Sequence, residues 1–347
     1  MNDIVLPNDF TFRPAVLADA ASVADVANAS ANKYIGTSSV LAQEMARFWQ
    51  LPEFDLEKSA RVAVDGNGRV IAYIDVDDTG SRPVRPNFLG HVHPDFEGQG
   101  IGAALVNWAE RRARQVLPKI PVDLRVTVDT GIWAAAKPSI QLLETHGYTH
   151  SRDFWRMVIE FNGEPAAPTW PTGITLNSLI ERPELRPIIA AREEAFQDHW
   201  GHVPRPIEEQ EAEWRHWLAD DPHHDPAGWW LAMDGEEIAG LCLCRQQEHH
   251  DAEMGWVSIL AVRRPYRLQG LGLALLQHSF VEFYQKGRKR VGLGVDADNL
   301  TGATRLYKKA GMTVQRHDMV FEKELRPGLV QVGINACAIN NANCQPV

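Results

Sequence analysis

The chain alternates between short apolar runs with strand-like spacing and stretches in which small or apolar residues return every three or four positions, as on one face of a helix. One such arrangement occurs twice. Residues 89–112 read LGHVHPDFEGQGIGAALVNWAERR and residues 260–282 read LAVRRPYRLQGLGLALLQHSFVE. Each passes from an apolar stretch through a turn with a proline and an aromatic residue, then Gly-x-Gly, into a predicted helix. The pairs Gly100/Gly270, Gly102/Gly272, Leu105/Leu275 and Val106/Leu276 keep a constant offset of 170 residues. In each copy these positions, continued by Ala109 and Ser279, form a narrow stripe that predicts a helix laid against a sheet.

Downstream the echo is weaker but keeps its order: a strand-like run (124–128; 291–295), a short helix, a glycine where that helix should stop (Gly147; Gly311), and a closing apolar strand (154–161; 319–325). Residues 162–172, NGEPAAPTWPT, are rich in proline and glycine, have no periodicity, and read as a linker. Two α+β domains of similar plan are predicted, at residues 8–163 and 172–326. A tail at 327–347 repeats nothing earlier and receives no role.

Composition narrows the function. Hydrophobic residues are 44% of the 347-residue chain and charged residues 23%, which predicts a folded core and excludes a disordered chain. With 35 Lys and Arg against 45 Asp and Glu, the net charge of −10 argues against nucleic acid or an anionic membrane as partner. Any anion must be held by local structure. No run approaches the ~18 to 20 apolar residues of a membrane span, and residues 1–12 carry acids and no basic-then-apolar leader, so a cytoplasmic protein is expected. Four cysteines are too few for a disulfide scaffold. Cys242 and Cys244 would share one face of a strand as small hydrophobes.

A strand, a loop rich in backbone N–H groups and a helix N-terminus together make an anion site, because unpaired donors and the helix dipole point the same way. Here the strand is 257–262, the loop Arg267-Leu268-Gln269-Gly270-Leu271-Gly272, and the helix begins at Leu273. A P-loop would need Gly-x4-Gly-Lys-Ser/Thr and a dinucleotide fingerprint Gly-x-Gly-x-x-Gly, and neither is present. The basic residues Arg263, Arg264 and Arg267 and the cluster Lys286, Arg288, Lys289, Arg290 surround the loop in sequence. Arg267 is expected to contact phosphate, whereas the 286–290 cluster reads as a solvated helix end.

The pattern Arg/Gln-x-x-Gly-x-Gly/Ala, preceded by Leu260-Ala261-Val262 and followed by Asp298-Asn299, Leu306-Tyr307 and Gly311, resembles the acetyl-CoA-binding core of the GNAT N-acetyltransferase superfamily. The resemblance extends over both halves and, through the duplication, the better preserved second site and residues 225–232 (DPAGWWLA), is similar in plan to the mycothiol synthases. It implies two tandem GNAT domains, each a mixed, mostly antiparallel sheet with flanking helices. It further implies acetyl-CoA as co-substrate, no metal, and a small-molecule amine as acceptor. The backbone of Leu260, Ala261 and Val262 would pair with the pantetheine arm. The amides of Leu268, Gln269, Gly270, Leu271, Gly272 and Leu273, with Arg267, would hold the pyrophosphate.

Transfer of an acyl group from a thioester to an amine needs an uncharged nucleophile, stabilisation of the oxyanion and a proton for the thiolate. By the resemblance Tyr307 supplies that proton. A phenol of ordinary pKa ~10 can protonate a thiolate whose conjugate acid lies near ~8.5. The plainer reading is that its ring packs in a helix face. Asn299 stands as a plausible N-cap of that helix, and an N–H near Leu260 or Ala261 would meet the oxyanion. Glu253, just before the strand, is either the base for the acceptor amine or a solvated acid. His223, His224, His249 and His250 lack the spacing of common zinc motifs and read as loop residues. The aromatic group His199, Trp200, His202, Trp214 and Trp217 either lines the acceptor pocket or fills the core. In the first half Leu143 stands opposite Tyr307, Ala135 opposite Asn299, and Glu97 opposite Arg267. A carboxylate beside a pyrophosphate is repulsive. A degenerate N-terminal domain and a catalytic C-terminal domain are therefore expected, with a CoA-binding sensor or a transferase of longer acyl groups as alternatives.

Overall fold

The computed structural model describes residues 10–51, 53–79, 84–197, 205–219, 223–248, 251–298 and 302–329. In chain order the first half runs β1 (Thr11–Pro14), α1 (Ala20–Ile35), α2 (Ala42–Phe48), α3 (Leu56–Ser59), β2 (Ala60–Val64), β3 (Val70–Asp77), β4 (Asn87–Val92), α4 (Ile101–Ala113), β5 (Val126–Trp133), α5 (Lys137–Thr145) and β6 (Thr149–Glu160). The second half runs β7 (Ile174–Ser178), α6 (Leu185–Phe196), α7 (Ile207–Ala219), β8 (His224–Asp234), β9 (Glu237–Arg245), β10 (Met254–Val262), α8 (Leu271–Gln285), β11 (Arg290–Asp296), α9 (Ala303–Lys309) and β12 (Thr313–Arg326). No regular element lies between Glu160 and Ile174, where the linker was expected.

Two compact units result, and they do not follow the two halves. Among the described residues, the first unit comprises 10–153 with 317–329 and the second comprises 154–316. The first has the strand order β1-β2-β3-β4-β5-β12, and the second β6-β11-β10-β9-β8-β7. The expectation that each domain closes with its own last strand is corrected here: the closing strands are exchanged. Residues 154–160 of β6 pair antiparallel with β11, and β12 pairs antiparallel with β5 from Asp318↔Trp133 to Arg326↔Val126. Charged side chains specify the partner. Arg85, its side chain 7% exposed, bridges Asp129 (3.0 Å) and Glu322 (2.8 Å), Arg125 reaches Glu322 and Glu324, and Lys323 reaches Glu110 (2.6 Å).

Within each unit one neighbouring pair, β4–β5 or β10–β11, is parallel, and the other pairings described are antiparallel. In the second unit strand alternation divides the core into two layers. Trp230, Cys242, Cys244 and Val257 pack with Leu271, Leu275 and Phe280 of α8. Trp229, Leu241, Leu243 and Ile259 pack with Ile188, Ile189 and Trp214 of α6 and α7. Cys242 and Cys244 do share one buried face, with sulfurs 3.7 Å apart.

Candidate active site

In the second unit β10 and β11 pair only from Met254↔Arg290 to Val257↔Leu293. Beyond that point β10 continues to Val262 and β11 to Asp296 without partnering each other, so the parallel strands part toward the end of β10 that leads into the glycine loop. On its other edge β10 carries a β-bulge: the register against β9 jumps between Val257 and Ile259, which leaves Ser258 extra and bends the strand where the parting begins. Leu260, Ala261 and Val262 pair with Cys242, Leu241 and Gly240 of β9. A Cβ at Gly240 would stand 2.9 Å from the Ala261 carbonyl oxygen, so only glycine fits there without movement.

The loop that follows is shaped to expose amides. Leu268 (φ 62°) and Gly270 (φ 86°) both adopt left-handed backbone, and Gly270 is the N-cap of α8. Residues 268–270 are solvent-exposed, while Leu271 is buried and anchors the helix. Gln269 is occupied with the Pro265 carbonyl (2.9 Å), and Leu273 is half-buried on the first turn. Gly272 lets α8 approach α9, since a Cβ would lie 3.1 Å from Leu306. A loop of exposed amides at a helix N-terminus, beside a parted strand pair, fits a pyrophosphate with an extended arm.

Arg267 does not present itself as predicted. Its guanidinium donates from Nε to the Val262 carbonyl (3.1 Å) and from Nη2 to the Ala195 carbonyl (2.8 Å), tying the loop to the end of α6. It braces the loop. Tyr307 lies in α9, 7% exposed, packed in the layer that holds Cys242, Leu275 and Met312. Burial, with the Cys242 thiol nearby, raises its phenol well above the ordinary value, so the phenol keeps its proton. Asn299 falls outside the described residues, as do His199, Trp200, His202, His249, His250 and the Trp217 side chain.

Glu253 is not at the open end. It precedes the paired end of β10, its carbonyl accepts the amides of Lys289 (2.8 Å) and Arg290 (3.3 Å), and its exposed carboxylate forms an ion pair with Lys289 that lowers its pKa. That position and the ion pair with Lys289 match the solvated-acid reading of this residue. The 286–290 cluster is taken up at the same end: Lys286 pairs with Asp225 (2.9 Å) and Arg290 with Asp251 (2.7 Å). Arg263 pairs with Glu194 (2.7 Å). Trp214 is core, edge-on to Trp229 with centroids 5.7 Å apart, and is excluded from an acceptor pocket. Among the described residues no three His, Cys, Asp or Glu side chains gather as metal ligands.

Sequence reasoning missed a cavity in the first unit. There β4 and β5 meet at a single described pair, Asn87↔Asp129, and then diverge. A cavity of about 570 Å³ fills the divergence, walled by both strands, by Ser30 and Tyr34 of α1, and by Gly98, Gly100 and Gly102 of the first glycine loop. Gly98 (φ 75°) and Gly100 (φ 82°) reproduce the left-handed geometry of Leu268 and Gly270. Glu97 is turned to α1, where it accepts from Lys33 Nζ (2.6 Å) and Tyr34 Oη (2.9 Å). Its charge is thus partnered, a contact made over 64 residues of sequence.

Comparison with known proteins agrees with this geometry. The model of the acetyltransferase (GNAT) family matches twice, at residues 32–148 and 187–312. A mycothiol acetyltransferase of Streptomyces scabiei is 28% identical over 236 residues, which cover 67% of this chain and 70% of that one. One from Corynebacterium efficiens is 28% identical over 246 residues, covering 67% and 72%. Among solved structures, a GCN5-related N-acetyltransferase from Sphaerobacter thermophilus superposes with a TM-score of 0.78 at 35% identity, over 95% of this chain and 100% of that one. A tandem GNAT protein from the clavulanic acid biosynthesis pathway shares the fold, with a TM-score of 0.67 at 14% identity over 92% of this chain and 100% of that one. With both halves matched and the parted strands and amide loop of each accounted for, the chain belongs to the GNAT acetyltransferase family and is a tandem N-acetyltransferase.

Proposed function

We propose that the second unit transfers the acetyl group of acetyl-CoA to a primary amine of a small molecule. The observation that carries this reading is the combination in one unit of the parted β10–β11 pair, the exposed amides of 268–270 and a buried, protonated Tyr307. The loop amides hold the pyrophosphate and β10 guides the pantetheine arm, which supplies the thioester. An N–H of the bulged strand near Leu260 meets the oxygen on which charge develops. Tyr307 donates its phenolic proton to the departing sulfur. The similarity to mycothiol acetyltransferases supports a small thiol-bearing amine over a protein acceptor as the class to try first.

The test is thiol release from acetyl-CoA against a panel of small primary amines, with product mass identifying the amide. Acetylation of one or more amines is expected, with kcat about a hundredfold lower in Tyr307→Phe. Tight CoA binding with no thiol release for any amine would replace the enzyme by a sensor.

A further inference from the structure

We propose that Gly294 determines which amines the second unit accepts: its bare backbone leaves room for a further substituent on the carbon that bears the nucleophile, so primary amines on branched carbons are taken. The proposal rests on the acetyl-transfer reading above and adds to it the side from which the acceptor arrives. Gly294 is the first residue of β11 past its last pair with β10, Val257↔Leu293, and so stands at the mouth of the parted strands. Alternation assigns the two faces of β11 at this point. Val291, Leu293 and Val295 pack into the layer of α8 and Tyr307. Gly292 and Gly294 lie on the opposite face. Among the described residues the open approach for an amine is therefore across Gly294, while the proton for the departing sulfur comes from the Tyr307 side.

The two glycines differ in what demands them. Gly292 is required by packing, since a Cβ there would stand 2.7 Å from Trp256. A Cβ at Gly294 would meet no atom within 4 Å, the residue is exposed, and its backbone is ordinary extended strand. Arg156, its partner on β6, lies instead over the Trp256 ring, 4.8 Å from the centroid, and bonds Glu248 (3.2 Å). Neither backbone angle nor packing calls for glycine here, and a glycine inside a strand weakens it. The first unit carries the alternative. At the offset that sets Gly147 against Gly311, Asp129 of the pair Asn87↔Asp129 matches Leu293, and Val128 and Thr130 stand where the second unit has Gly292 and Gly294. Thr130 is 4% exposed and pairs with Phe321 of β12, as Gly294 pairs with Arg156 of β6. The same register thus accepts a β-branched residue, and the second unit forgoes it. A strand glycine that the fold does not need marks the close approach of a ligand. Threonine at 294 would set its methyl and hydroxyl beside the incoming nitrogen and strike a branch on the adjoining carbon, whereas an unbranched amine would still pass.

The experiment measures kcat and KM of the full chain, Gly294→Ala and Gly294→Thr with acetyl-CoA and two sets of amines. One set holds unbranched alkylamines, and the other amines on branched carbons: secondary-carbon alkylamines, amino sugars and amino acid esters. Calorimetric CoA binding and thermal melting are recorded alongside. The parent is expected to acetylate at least one amine of the branched set. Gly294→Thr should lower kcat/KM for that amine about tenfold or more, through a raised KM, and alter unbranched amines less than about threefold, with Gly294→Ala between. CoA binding should be unchanged and the melting temperature equal or higher, a loss of acceptor without loss of stability that a packing role would not produce. Should Gly294→Thr melt early, Gly294→Ala carries the comparison. Branched amines acetylated equally well by parent and variants, an equal loss for both sets, or a parent that takes unbranched amines alone overturns the proposal and leaves acetyl transfer standing. A parent that binds CoA and releases thiol with no amine at all removes the transferase reading itself, and this proposal with it.

Discussion

Leu268 sits at the tip of the second glycine loop, fully exposed and with left-handed backbone, a conformation that costs a non-glycine residue roughly 1–2 kcal/mol. The equivalent position in the first loop, offset by 170, is Gly98, which adopts φ 75° freely. Leu268→Gly should therefore stabilise the chain, by about 0.5–1 kcal/mol once glycine's greater unfolded-state entropy is subtracted, as read from urea unfolding. At Tyr307 burial keeps the phenol neutral far past physiological pH, so the hundredfold loss expected for Tyr307→Phe should be the same at pH 7 and pH 9. A loss that shrinks across that range would mean the phenol ionises and is not the donor.

Two other buried groups, both in the first unit, have opposite signs. Trp49 donates to Tyr73 (2.9 Å), whose hydroxyl donates to Asp75, and burial pushes that carboxyl up to about 7 from 3.8. Its contribution to stability is complete below about pH 4 and is lost as pH rises through 7. His91, held down at about 4 from 6.5, contributes above pH 6.5 and loses that contribution as pH falls through 4. The melting temperature of Asp75→Asn relative to the parent should thus rise from pH 4.5 to 7.5, and that of His91→Gln should rise in the reverse direction. Parallel trends would show that one of these assignments is wrong.

Among the elements, the short paired stretch of β10 and β11 fixes where the strands begin to part. Gly292 makes it possible: a Cβ there would stand 2.7 Å from Trp256 and 3.0 Å from the Met254 sulfur. Gly292→Ala should cost about 1–3 kcal/mol by forcing those side chains off their rotamers, and melting would measure it. At this scale the sequence was informative. Gly100 and Gly270 announced α4 and α8, and the stripes at 102–109 and 272–279 face their sheets, because local periodicity and left-handed glycines are written in neighbouring residues. What it hid was long-range. The bracing of Arg267 by Ala195 spans 72 residues, and the neutralisation of Glu97 by Lys33 spans 64, so neither loop's true electrostatics could be read from its own motif. For Glu253 the sequence left base and solvated acid open, because proximity to β10 did not say at which end of the parted pair it lies.

For the whole molecule the strand exchange matters most, and it too was invisible locally, since 319–325 reads as a good strand without naming its neighbour. A chain ending after β6 lacks the strand that carries Glu322, Lys323 and Glu324 to Arg85, Arg125 and Glu110. Residues 10–161 expressed alone should leave the β5 edge unpaired and aggregate. The same fragment with 313–329 fused after a flexible linker should be soluble and melt cooperatively. Equal solubility of both would show that the exchanged strand is dispensable. The described residues contain no helix long and apolar enough to cross a membrane.

Pairing of β12 with β5 also sets a timetable. During synthesis the first unit stays one strand short until β12 has been made, so the unit begun first waits for a strand that follows nearly all of the second. A nascent chain stalled anywhere before β12 carries an open β5 edge, and a premature stop there would leave the first unit unfinished although all of its earlier strands had been made.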